Sequence, residues 1–510
     1  TVPAAAPAPS PAPAGRPAPA AAPVLSSGGS GDPIRDLGLL FAEFLEKGMK
    51  IHRGEGAPPA PASPAAPAEE PVVVTGSSLG LPGRPRMFQD DNVAALLRGD
   101  QLIGRIPEKI LRAMATKHIT RLVKSEHGES RFEEVTSTDE VIKLAGRGGE
   151  LDLAGEFGVA AERIPALDVV TQLAIAAGLE ALHDAGIPLV MRYKTTTKGT
   201  KLPERWVLPE ALQDDTGIVF ASAFPGYDSF AERLRGYFLD HERRERLLDL
   251  VALRASLAGK GASAEALAEV DGKIADLKGL LEREHYTFDR RFLFQILSMG
   301  HSQFAELIGA RGPNTQVNAA CSSTTQAVTV AEDWIRAGRA RRVLVIAADD
   351  ATSDQMMEWI GAGFVATGAA ALDERVEDAA LPFDRRRHGM VIGMGAIGLV
   401  VEGPEAARER GITPACRVLS AVTANSAFHG TRLDVSHISQ VMESLVSQAE
   451  RKWGVDRHAI APKMIFVSHE TYTPARGGSA SAEIFALRGT FGPSVDSIVM
   501  ANTKGFTGHP

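Results

Sequence analysis

A layered α/β fold, with helices covering a central sheet, is the class this sequence predicts, and three observations predict it. Short runs of β-branched and aliphatic residues recur along the chain as VVVTG, TGIVFAS, RRVLVIAAD, MVIGMGAIGLVVE, KMIFVSH and SIVMANT. They lack polar alternation, as strands buried on both faces do. Between them lie stretches with helical spacing, among them DVVTQLAIAAGLEALHDAG and TTQAVTVAEDWIRAG, which supply the covering layers. The chain is also long and apolar enough, at 510 residues and 44% hydrophobic, to bury a large core.

Charge and composition exclude several functions. The net charge is −8, and no stretch combines Lys and Arg with stacking aromatics, so a nucleic-acid partner is not expected. The apolar run Met390–Val401 is broken by glycines and falls short of the roughly 18 to 20 residues that span a bilayer, so no membrane anchor is expected. Cys321 and Cys416 cannot build a disulfide framework, and no Cys or His cluster has zinc-site spacing. A reducing, cytoplasmic setting is the simplest expectation.

Taken in order, the elements begin with a linker. Residues 1–70 are dominated by two Ala/Pro-rich stretches that favour extended spacers over a core. One short helix is predicted between them, over 32–52, with Asp32 as N-cap, Pro33 in the first turn, and Ile34, Leu37, Phe41, Phe44 and Leu45 on one face. The chain opens on Thr1 with no targeting pattern, which reads as an excised piece. From residue 71 the strand and helix texture runs to 510 as one large domain. Residues 238–287 interrupt it with Leu and charges at helical spacing around a Gly259-Lys-Gly261 break, predicting a helical hairpin with solvated faces.

The sharpest local signal is VNAACSSTTQAVTVAEDWIRAG, a turn of small residues that delivers Cys321 to the start of a helix. Backbone N–H groups and the helix dipole there favour a thiolate, and the small neighbours leave room for a thioester. Six blocks in order then resemble the β-ketoacyl synthases, condensing enzymes of the thiolase superfamily. PVVVTGSSLGLPG resembles their opening strand, LDVVTQLAIAAGLEALHDAGIP the following helix, and GARGPNTQVNAACSS the approach to the nucleophile. LPFDRRRHGMVIGMGAIGLVVEGPEAARERG resembles the PFD…GEGA block, VSHETYTP the HGTGTP loop, and NTKGFTGH the lysine and second-histidine loop.

By this resemblance Cys321 is the acyl-accepting nucleophile, His469 and His509 are the two active-site histidines, and Lys504 is the associated lysine. A thiolate takes an acyl chain from a carrier thioester. A malonyl thioester then loses CO₂, and its enolate attacks the acyl-enzyme. Imidazole N–H groups aimed at the thioester oxygen would stabilise that enolate. The Cys321 backbone N–H is the natural oxyanion donor in acyl transfer. Lys504 is expected to organise the histidines rather than form a Schiff base. Cys416 reads as a buried structural thiol, and His301, His388 and His429 are not expected in the site.

The resemblance further implies a five-layer αβαβα architecture of two similar halves, a homodimer, acyl carrier protein and neighbouring synthase domains as partners, and no cofactor or metal. Three departures stand out. Glu470 and Tyr472 replace glycines after His469, so that Tyr472 narrows the entrance, contacts the acyl chain or is a surface substitution. Met394 replaces the acidic residue of the GEGA block. Pro510 precedes the family's last strands and its GFGGTN-like loop, so the domain is expected to be incomplete at its C-terminal end and to condense little alone. Two other readings share this fold, a non-catalytic chain-length scaffold and an acyltransferase or thioesterase. Retention of Cys321 argues against the first and of both histidines against the second.

Overall fold

The structure is a computed structural model and describes residues 33–52, 69–123, 131–297, 299–427, 433–473 and 478–510. The chain divides into two units, residues 1–69 and 70–510. In the first, α1 (Pro33–His52) starts on proline, whose missing N–H is no loss in a first turn. Leu37, Phe41, Phe44 and Leu45 of α1 are exposed. Asp32 and the two Ala/Pro-rich stretches lie outside the described residues, and Ile34 lies outside the described side chains.

The second unit is built on β1 (Val72–Gly80), α2 (Val169–Asp184), β2 (Thr216–Ala221), α3 (Tyr227–Gly259), α4 (Ala264–Arg283) and α5 (Gly300–Ile308). It continues through β3 (Asn314–Val317), α6 (Ser323–Arg336), β4 (Arg342–Asp350), β5 (Ile392–Glu402) and β6 (Cys416–Val418). It ends on α7 (Val435–Trp453), β7 (Ile465–Val467), α8 (Ser479–Phe491) and β8 (Val499–Ala501). The main sheet is mixed, with strand order β6-β1-β5-β4-β2-β3. β1 and β4 flank β5 antiparallel, while β4, β2 and β3 run parallel.

Strand periodicity explains the apolar runs. In β4, Leu344, Ile346 and Ala348 face α2 and α5, whereas Val343, Val345 and Ala347 face α6. Each fully buried side chain of this size contributes roughly 1.5–3 kcal/mol. Asp168 caps α2 by accepting from Val170 N and Thr171 N. The helix then lies so close to the sheet that a Cβ on Gly398 would stand 2.3 Å from the Ala177 carbonyl oxygen.

α3 and α4 form the antiparallel pair expected between 238 and 287, although α3 starts earlier, at Tyr227. Arg254 of α3 donates to Asp271 of α4 at 2.8 Å. Two β-hairpins were not anticipated: Thr120–Val123 with Arg131–Glu134, and Val190–Thr195 with Lys201–Val207. They are short and charge-rich, and Pro203 interrupts the second, so neither carries an apolar strand signal.

The second half differs from expectation. β7 and β8 pair in parallel, but only Phe466 and Met500 pack inward, against Leu487, Phe491, Met442 and Val446. Ile465, Val467 and Val499 are exposed, so these strands are not buried on both faces. Cys416 is likewise exposed rather than buried, because β6 pairs with β1 at the end of the sheet's strand order. Among the described residues, no helix is long and apolar enough to cross a membrane.

Candidate active site

The chain leaves β3 through Asn318 and Ala319 and turns at Ala320, whose φ is +49°. A left-handed residue costs roughly 1–2 kcal/mol without glycine, and local hydrogen bonds hold it. Ala320 N donates to Asn318 Oδ1 at 3.2 Å. Ser323 Oγ accepts from Ala319 N at 2.9 Å and donates to the Ala320 carbonyl at 2.6 Å. Cys321 thereby precedes the first turn of α6 with its sulfur toward a cavity.

His509 meets it from the far end of the sequence. Its N–H donates to the Val391 carbonyl at 2.8 Å and its carbonyl accepts from Gly393 N at 2.7 Å, which docks the segment on the start of β5. A side chain at Gly393 would strike this segment, since its Cβ would lie 2.7 Å from the Thr507 carbonyl oxygen. Held there, His509 Nε2 stands 3.0 Å from Cys321 Sγ.

His469 and Lys504 come from the loops after β7 and β8. Glu483 of α8 accepts from His469 N at 2.9 Å and from Ser468 Oγ at 2.5 Å, fixing the histidine backbone. Lys504 Nζ donates to His469 Nδ1 at 2.9 Å and to the His469 carbonyl at 2.8 Å. The rings of His469 and His509 meet edge to face with centroids 5.6 Å apart. The four residues named from the sequence therefore stand together.

Cys321 and His469 expose surface into the cavity but are walled by protein on their other sides, and that reduced hydration sets the electrostatics. Burial, then the Lys504 charge, lowers the His469 pKa to about 4. Burial, Lys504 and His469 together hold His509 well below the ordinary imidazole value. Burial lowers Lys504 to about 8, opposed by Cys321 and nearby glutamates. Cys321 is pushed up by burial, with Lys504 opposing. Burial thus favours a thiol over the expected thiolate in the resting site. A thiol facing a neutral imidazole is the result, with S–H donating to Nε2.

The cavity has a volume of about 390 Å³. Leu79, Leu81, Leu96, Ala347, Met394 and Ile397 give it apolar walls beside the four polar side chains. Met394 thus lines the cavity as well as packing in the core. Tyr472 does none of the three things expected of it. It is fully buried at φ +48° among Leu144, Met390 and Val391, away from the cavity. Glu470 is buried too, accepting from Tyr472 N at 3.1 Å and pairing with Arg387 at 3.4 Å, so it anchors the loop.

His301 and His388 lie outside the cavity lining, the latter against Asp373 at 2.5 Å. His429 and Pro474 lie outside the described residues. Among the described residues no cluster of His, Cys, Asp or Glu is arranged to hold a metal. Sequence reasoning missed Glu483, Asn318 and Asp349. The signal for Asp349 is an acidic residue ending the apolar run RVLVIAADD.

Comparison with known proteins gives a consistent result. The family described as β-ketoacyl synthase, N-terminal domain, matches residues 266–407. The 3-oxoacyl-[acyl-carrier-protein] synthase 2 of Staphylococcus aureus is 28% identical over 216 residues, 42% of this chain and 50% of that protein. The chloroplastic 3-oxoacyl-[acyl-carrier-protein] synthase I of Arabidopsis thaliana is 27% identical over 57% of this chain and 64% of its own length. The chain thus spans about half to two thirds of the curated relatives it matches. A β-ketoacyl synthase structure from Burkholderia phymatum aligns at TM-score 0.57 and 18% identity, covering 86% of this chain and 82% of that one. A chain from a structure of a type II polyketide synthase acyl-carrier protein in complex with its ketosynthase bound to the hexaketide aligns at TM-score 0.53 and 18% identity, covering 86% of this chain and 82% of that one. These structural likenesses show the fold, an α/β arrangement of the thiolase type.

Proposed function

We propose that the chain is a β-ketoacyl synthase and that its cavity performs a decarboxylative Claisen condensation. The observation that carries this reading is the 3.0 Å approach of His509 Nε2 to Cys321 Sγ, with His469 beside them. In acylation the sulfur attacks the carbonyl of an acyl thioester on a carrier. Its proton passes to His509 Nε2 and on to the departing carrier thiolate. The Cys321 N–H, at the start of α6, donates to the tetrahedral oxyanion.

Condensation follows on a malonyl-type thioester. The C–CO₂⁻ bond breaks, CO₂ leaves, and the electron pair becomes an enolate whose oxygen needs donors. His469 accepts at Nδ1 from Lys504, so its proton sits on Nε2 and can be donated to that oxygen. The enolate carbon attacks the acyl carbonyl, the Cys321 thiolate leaves and is reprotonated, and a β-ketoacyl thioester remains on the carrier. The apolar walls suit an acyl chain.

Acyl carrier protein as the source of both thioesters is part of the same proposal, supported by the carrier complex among the structural likenesses. So are a homodimer, for which edge strand β3 offers unpaired backbone groups, and tethering of neighbouring synthase domains by the linker over 1–70. Two unpaired thiols suit a cytoplasmic setting. Intact-mass spectrometry tests the reading. The protein is incubated with octanoyl carrier protein, then malonyl carrier protein, beside Cys321→Ala. An adduct on Cys321 that disappears as β-ketoacyl carrier forms is expected. An adduct that only hydrolyses would make the chain a thioesterase, and none at all would make it a scaffold.

A further inference from the structure

Asp349, the next-to-last residue of β4, lies at the wall of the cavity, half-buried, and the condensation chemistry gives it no task. Its carboxylate is fully engaged by the loop after β2. Ser222 Oγ donates to Asp349 Oδ1 at 2.8 Å, Phe224 N to the same oxygen at 3.0 Å, and Ala223 N to Oδ2 at 2.9 Å. A carboxylate that receives three donors is held in place rather than free to exchange protons.

The loop it holds reaches the nucleophile. The Ala223 carbonyl accepts from Asn318 Nδ2 at 3.0 Å. The other end of that amide, Oδ1, accepts from Ala320 N at 3.2 Å. Ala320 is the left-handed residue immediately before Cys321. One continuous chain of hydrogen bonds therefore runs from the end of β4, through the 222–224 loop and a two-ended amide, to the strained peptide that aims Cys321. The middle of this chain of bonds is far in sequence from what it joins: Ala223 is 126 residues from Asp349 and 95 from Asn318.

We propose that Asp349 is a positioning residue for Cys321, acting through the 222–224 loop and Asn318 to hold Ala320 left-handed and the Cys321 N–H directed at the developing oxyanion. This rests on the reading of Cys321 as the acyl-accepting nucleophile. If Ala320 relaxes, the sulfur still reaches a small electrophile, but the backbone donor no longer points where charge develops. Acyl transfer then suffers and simple alkylation does not.

The experiment compares Asp349→Ala, Asn318→Ala and the double variant in the full chain. Asn318 is exposed, so its truncation leaves folding intact even if Asp349→Ala does not fold. Two rates are read: acylation of Cys321 by octanoyl-N-acetylcysteamine, and alkylation by iodoacetamide at a pH where the thiol is fully ionised. Each single variant is expected to slow acylation about tenfold with alkylation within about twofold, and the double variant to be no slower than the singles, because both cut one chain. Unchanged acylation in Asn318→Ala, multiplying effects in the double variant, or equal losses in both rates would overturn the proposal. A wild type that alkylates but is never acylated would instead overturn the functional reading, and this proposal with it.

Discussion

Lys504 Nζ stands 2.9 Å from His469 Nδ1 and 2.8 Å from the carbonyl oxygen of the same residue, so one ammonium group fixes both the ring and the backbone of that histidine. The ring is thereby left with its N–H on Nε2.

Lys504→Met should therefore impair the half-reaction that needs this donor. Release of CO₂ from malonyl carrier protein is expected to fall by roughly 10²–10³-fold, the usual cost of removing an oxyanion donor, while Cys321 acylation falls less. The His469 imidazole should also titrate higher once the neighbouring charge is gone, which NMR would follow. Equal losses in both half-reactions would count against the assignment.

Acid stability follows from the same ring. His469 has a pKa of about 4 in the fold against an ordinary 6.5, so between those values the unfolded chain holds a proton that the folded chain lacks. Its contribution to stability rises with pH across that window and is lost on acidification through it. Lys504, at about 8 against 10.5, acts with the same sign between those two values. Urea midpoints from pH 4 to 6.5 should climb more steeply for the wild type than for His469→Gln. Parallel slopes would remove this account.

Cys321 should alkylate slowly at neutral pH, with a rate profile inflecting above the ordinary thiol value, because burial raises its pKa. Iodoacetamide kinetics against pH would measure the inflection. An inflection below neutrality would mean a resting thiolate.

Tyr472 is fully buried and its hydroxyl has no hydrogen-bond partner among the described residues. Tyr472→Phe keeps the packing and deletes the unsatisfied group. Stability is expected to stay level or rise by about 1 kcal/mol, read from the urea midpoint, with condensation unchanged. A marked loss would mean that the hydroxyl has a partner in solution.

Gly398→Ala tests the approach of α2 to the sheet. The new Cβ would meet backbone at Ala177, which cannot rotate away, so a loss of about 1–3 kcal/mol in chemical denaturation is expected.

What the sequence disclosed, and what it hid, divides along range of interaction. Strands β2, β4 and β5 are legible because both faces are buried, leaving unbroken apolar runs. The two charge-rich hairpins leave no such trace, and β7 and β8 mislead because one apolar face is exposed. In the site, Cys321, His469, Lys504 and His509 are readable because each sits in a distinctive block. Glu483 and Asp349 are not, since their roles are defined by partners on other elements, 14 residues away for Glu483 and 126 for Asp349. Tyr472 shows the converse error: an aromatic residue beside a catalytic loop suggested a gate, yet its left-handed backbone turns it into the core.

The docking of His509 on Val391 and Gly393 bears on when the site is assembled. Sulfur and imidazole are separated by 188 residues, and their meeting requires that the segment carrying His509 add itself to a sheet whose other strands are already in register. Contacts so distant along the chain are entropically slow to form. During refolding, secondary structure should be regained before the Cys321 thiol meets the His509 imidazole. Competence is then a late event, and an acylation assay would count only molecules that have completed the whole fold.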